Sequence, residues 1–109
     1  MARDRDLEDV VRADLGFRAG LSEKTMFGGL AWLLDGKLLC GARKEGMLVR
    51  LGKGNDAWAL ETAGIAQMIM GDRVMEGWVR ASPEACTDAV LRRRLISEAV
   101  AFVDTLPPK

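Results

Sequence analysis

A chain of 109 residues, 49% apolar and 29% charged, has the composition of one globular domain and not that of a disordered or fibrous chain. Sixteen basic side chains offset sixteen acidic ones, so no net field is available to hold a polyphosphate, and nucleic acid is not expected as a partner. The apolar runs are too short to cross a bilayer and the first residues, Met1-Ala2-Arg3-Asp4-Arg5-Asp6, lack the apolar stretch of a secretory signal, which predicts a cytoplasmic chain without membrane insertion.

In chain order, Leu7, Val10, Val11 and Leu15 recur at helical spacing behind early acidic residues, which the helix dipole favours, so the spacing predicts a helix over 4–15. Gly16 and Gly20 interrupt the period. Residues 25–34 are too rich in glycine for a helix and predict a strand, Asp35-Gly36 suits a type I′ turn, and 37–43 returns as a second strand. A turn at Lys44-Glu45-Gly46 leads into the alternating residues 47–51, which complete a three-strand meander. Asn55 or Asp56 is placed to cap a short helix through Ala63, with Gly64 as its left-handed terminus. Residues 67–70 and 74–81 flank Gly71-Asp72-Arg73 as a second hairpin. Ser82-Pro83-Glu84 supplies a cap, a proline for the first helical position and an early acid, and predicts one last helix to about Thr105. On that helix Leu91, Leu95, Ile96, Ala99, Phe102, Val103 and Leu106 share a face, onto which Arg92 also projects as an anomaly. The expected fold is α+β: two layers in the order α-β(3)-α-β(2)-α, with an antiparallel sheet, spanning 1–109 as one domain.

Histidine is absent, which removes the commonest general base and metal ligand, and no catalytic, cofactor or metal site is expected. Cys40 and Cys86 are too few for a disulfide framework and lack zinc-site spacing. Cys40, inside a strand, reads as a small buried hydrophobe. Cys86 follows a predicted helix start that would favour a thiolate, but no cation is evident beside it in the sequence, so packing is the expected role. Gly28-Gly29, inside an apolar run, predicts a bulge or a close backbone approach, with Met26 and Phe27 flanking the bend. Arg92-Arg93-Arg94 point about 100° apart and are expected to be solvated. Trp32, Trp58 and Trp78, with Met68, Met70 and Met75, form an apolar reserve that either packs the core or lines a groove for a peptide or small ligand. A sheet with helices on one side leaves its other face for a partner, and methionine and tryptophan suit such a surface.

Met26-Phe27-Gly28-Gly29 ahead of Asp35-Gly36-Lys37, followed by Leu48-Val49-Arg50, resembles the start of the N-terminal domain in the TfoX (Sxy) family of competence regulators. Gly71-Asp72-Arg73, Met75-Glu76-Gly77-Trp78 before Ser82-Pro83-Glu84, and the closing Phe102-Val103-Asp104-Thr105-Leu106-Pro107-Pro108-Lys109 look like its later blocks. The resemblance implies a helix, three-strand, helix, two-strand, helix fold similar to that of secretion chaperones. Longer members carry a C-terminal helical domain for which no residues follow Lys109, so a competence role is not expected. The expected function is a non-enzymatic regulatory or protein-interaction module, homodimeric, with a surface among Met26, Phe27, Gly28, Gly29, Trp32, Arg73, Met75, Trp78 and Arg92. The alternative is a small-molecule domain in which Arg92 or Arg73 recognises an anionic group beside the Met and Trp side chains.

Overall fold

The computed structural model describes residues 4–26 and 28–107. Asp4 caps α1 (Arg5–Leu15) by accepting from the Leu7 amide at 3.0 Å, and Leu7, Val11 and Leu15 bury the stripe that helical spacing predicts. The chain then departs from the expected single strand. Leu21–Met26 and Gly29–Leu34 are two strands, β1 and β2, paired antiparallel from Leu21↔Leu34 to Met26↔Gly29. Gly28, at φ +73°, lies in the tight connection between them, which corrects the expected bulge: the glycine marks a hairpin turn. Phe27 lies outside the described residues. β1 escapes a reading by hydrophobic pattern because Ser22, Glu23, Lys24 and Thr25 are all exposed.

β3 (Lys37–Arg43) and β4 (Gly46–Arg50) complete a four-strand meander. The short helix α2 (Ala57–Leu60) leads to β5 (Ile65–Met70) and β6 (Arg73–Ala81). Among the described residues the strands number six and not the expected five, antiparallel throughout, in the order β1-β2-β3-β4-β6-β5. The expected last helix is divided as well. Ser82 caps α3 (Pro83–Cys86), and Asp88 then caps α4 (Ala89–Asp104) by accepting from the Val90 and Leu91 amides at 3.0 and 3.1 Å. The extended backbone of Asp88 interrupts the helix after Thr87, and its side chain caps the new one.

All the longer helical elements lie on one face. Val11, Leu15, Trp32, Leu39, Val49, Leu51, Val79, Leu95, Ala99 and Val103 form the interior of one apolar cluster with almost no solvent contact. Just past the C-terminal end of α4, the buried Lys37 donates from Nζ to the Leu106 carbonyl at 3.1 Å, a cation near the negative end of the helix dipole. Among the described residues no helix is long and apolar enough to cross a membrane.

Candidate functional site

Side chains alternate between the two faces of a strand, so the register that sends Trp32, Val49 and Val79 into the core sends their neighbours outward. Ala31, Gly41, Leu48, Arg80 and Ala66 form one row across five strands on the face away from the helices. Ala31 and Gly41 are too small to fill their share of that face. Leu38, Leu48, Met68, Met70, Met75 and Trp78 surround them, and the result is an apolar cavity of about 170 Å³. An engineered apolar cavity of roughly 150 Å³ admits benzene, so this one has room for one ring or one branched aliphatic side chain. A shallow depression beside it shares Ala31, Gly41 and Leu48 and is completed by Met26 and Gly29.

Irregular pairing between the last two strands builds the wall. Gln67 pairs with Val79 and Ile69 with Val74, so residues 75–78 of β6 lie opposite Met68 alone. That extra length carries Met75 and Trp78 to the cavity. It is anchored by Gly77, at φ +84°, whose carbonyl accepts from the Leu51 and Gly52 amides at 2.8 and 3.0 Å. A Cβ on Gly77 would lie 2.6 Å from the Gly52 carbonyl carbon, so both its conformation and its surroundings require glycine. The Arg50 guanidinium, 5.6 Å from the Trp78 ring centre and 5.7 Å from that of Phe102, donates to the Leu38 carbonyl at 3.3 Å. Trp78 is thus held by a cation–π contact at the cavity rim.

The structure brings Met26, Gly29, Met75 and Trp78 to this face, with Arg73 at the tip of the β5–β6 hairpin opposite Met70. Gly29 is a site of close approach: a Cβ there would lie 2.8 Å from Cβ of Arg43 and collide with the Ala42 carbonyl oxygen. Two expected members lie elsewhere. Trp32 is wholly buried on the helix side, where its Nε1 donates to Glu23 Oε2 at 3.1 Å; Arg12 of α1 also grips that carboxylate through Nε at 2.6 Å and Nη2 at 3.1 Å. Arg92 is buried between α1 and α4, where Nε donates to Asp14 Oδ2 and Nη1 to the Cys86 carbonyl at 2.8 Å. Its charge is neutralised inside the helix layer, so of the two arginines named for the small-molecule alternative only Arg73 stands beside the Met and Trp surface. The expectation of three solvated arginines is corrected at Arg92 alone: Arg93 and Arg94 are exposed, Arg94 while stacking on Trp58 at 3.7 Å.

Both thiols are buried. Burial pushes Cys40 up to about 12 and Cys86 up to about 11; at Cys86 a hydrogen bond with the Met47 backbone and the Arg92 charge act in the opposite sense. A cation does stand near Cys86, contrary to expectation: it is Arg92, which the sequence alone did not place there. Desolvation outweighs it, and neither thiol is a thiolate nucleophile near neutral pH. Leu38, Leu48, Ala31 and Gly41 were not anticipated as site residues. Alternation along β2, β3 and β4 was the signal that could have found them.

Compared with known proteins, the chain matches the family model described as TfoX N-terminal domain over residues 15–103. No curated protein and no solved structure matches it.

Proposed function

We propose that this chain, which belongs to the TfoX N-terminal domain family, is a non-enzymatic protein-interaction module of a regulatory kind that works as a homodimer and receives an apolar anchor side chain of another polypeptide on its open sheet face. The observation that carries the reading is the cavity floored by Ala31 and Gly41 and walled by methionine and tryptophan. Hot-spot anchors at protein interfaces are single aromatic or aliphatic side chains seated in pockets, and the cavity has that capacity. Its methionines suit it to more than one anchor shape, since a flexible thioether repacks at little cost. The raised thiols and the lack of histidine support a binding role over a catalytic one.

Selection of a random displayed-peptide library on the purified chain tests this. Enriched peptides are expected to share one Leu, Phe or Trp anchor and to be lost on Gly41→Leu. That variant places a side chain in the cavity, and its Cβ would lie at an ordinary 3.4 Å from the nearest heavy atom. No enrichment, or equal retention by Gly41→Leu, overturns the reading.

A further inference from the structure

The sheet has two edges, β1 and β5, of equal length, and they differ in charge and in exposed apolar surface. β1 exposes Ser22, Glu23, Lys24 and Thr25, and Glu23 is held by Arg12 of the neighbouring helix. Charged side chains on an edge oppose the docking of another strand. β5 reads Ile-Ala-Gln-Met-Ile-Met, with no charge and no proline, and leaves Ala66, Ile69 and Met70 exposed although α2 packs against it. At the hairpin tip Ile69, Met70 and Val74 are 56%, 47% and 51% exposed, and Met70 also lines the cavity. An uncharged, apolar strand with one unpaired edge is a template for a further strand.

We infer that the occupant of this edge is β5 of a second copy of this chain, paired antiparallel across a two-fold axis so that the two six-strand sheets join into one. A two-fold contact sets a surface against itself, so a charged edge repels its own image, whereas β5 has no charge to oppose. Because β1 is protected and β5 is not, pairing closes at two copies. A β1-to-β5 contact would be head-to-tail and would propagate into a filament. A six-residue ladder is only about 20 Å long, so the apolar part of the contact comes from Ile69, Met70 and Val74 of both copies. The contact is thus at the small end of interface sizes and dissociates in the micromolar range.

This inference rests on the homodimer part of the proposed function, and sedimentation of the full chain separates the two. Wild type is expected to sediment as a dimer at about 100 μM and to dissociate on dilution. Ile69→Lys and Ile69→Glu are each expected to stay monomeric at that concentration, and a mixture of the two to regain the dimer mass, since in a pair centred on Met68 the two substituted positions are diagonal neighbours within reach of long side chains. Ala66→Lys, at another exposed position, repeats the monomer test should either Ile69 variant lose its circular-dichroism spectrum. A wild-type dimer that survives Ile69→Lys and Ala66→Lys overturns the β5 assignment and leaves the homodimer standing. A wild-type monomer at every concentration overturns both.

Discussion

The two faces of the sheet face the same problem, apolar residues in every strand, and they resolve it differently. Toward the helices, Trp32, Leu39, Val49 and Val79 join Val11, Leu95, Ala99 and Val103 in one buried cluster with almost no solvent contact. Away from the helices, Ala31 and Gly41 occupy central positions and methionines ring them. Large branched side chains at native density give a face that stabilises; small residues bordered by flexible ones give a face with a vacancy. The difference lies in side-chain size at alternate positions of the same strands, so one six-residue segment such as β2 contributes to both.

Truncation should separate the faces most sharply. Trp32→Ala removes a wholly buried indole together with its bond to Glu23 and is expected to cost about 3–5 kcal/mol. Met75→Ala trims a half-buried wall of the cavity and is expected to cost less than about 1 kcal/mol. Thermal unfolding distinguishes them, because at this size the first loss lowers Tm by roughly 12 °C or more and the second by a few degrees. Equal losses would mean that the open face is packed as a second core.

The glycines of the sheet carry the same contrast with a change of sign. Gly29 has no room for a side chain, since its Cβ position lies against the Ala42 carbonyl and Arg43, so Gly29→Val is expected to cost about 1–3 kcal/mol through overpacking. Gly41, without a positive φ and with its nearest Cβ contact at 3.4 Å, borders the vacancy. Gly41→Ala is expected to stabilise by about 0.4–1 kcal/mol, because the unfolded chain loses freedom and the folded one meets no obstacle. Chemical denaturation midpoints read both. A destabilised Gly41→Ala would show that the cavity floor is already at its limit.

Much of this was legible in local chemistry and little of it in long-range chemistry. The Asp35-Gly36 turn, the alternation of 47–51 and the Ser82-Pro83 helix start are signals within a few residues, and each element stands where they place it. β1 was hidden because an exposed edge strand needs no apolar alternation; the close backbone approach expected of the glycine pair holds at Gly29, but the bulge was misread because a strand before the pair is what distinguishes a turn from a bulge. Of the candidate site, Met75 and Trp78 were legible by type. The vacancy was not, since it depends on Ala31 and Gly41 falling opposite one another, a consequence of register. Arg92 stood out as a cation on an apolar stripe, but its carboxylate partner lies 78 residues earlier in the chain, at Asp14. No spacing rule reaches that far.

The smallest expected difference is between the two thiols: Cys86 lies in the helix layer, whereas Cys40, opposite Trp32 and Val49 in the core cluster, sits on a strand that borders the cavity. Both pKa values are raised from an ordinary 9, to about 11 for Cys86 and about 12 for Cys40, and the larger rise belongs to the more completely buried group. A raised thiol pKa means that the folded chain keeps a proton the unfolded chain releases. This contribution to stability is whole below about pH 9 and is lost as pH rises through the folded values toward 11 and 12. Below those values both thiolates are minor species, and that of Cys86 is the more abundant. Iodoacetamide labelling of the native chain from pH 8 to 10, followed by peptide mass spectrometry, should therefore modify Cys86 first, with both slower than in the denatured chain. Labelling of Cys40 ahead of Cys86 would reverse the order that burial sets, and would mean that solvent enters the sheet through the cavity more readily than through the helices. The two faces would then differ in mobility as well as in packing.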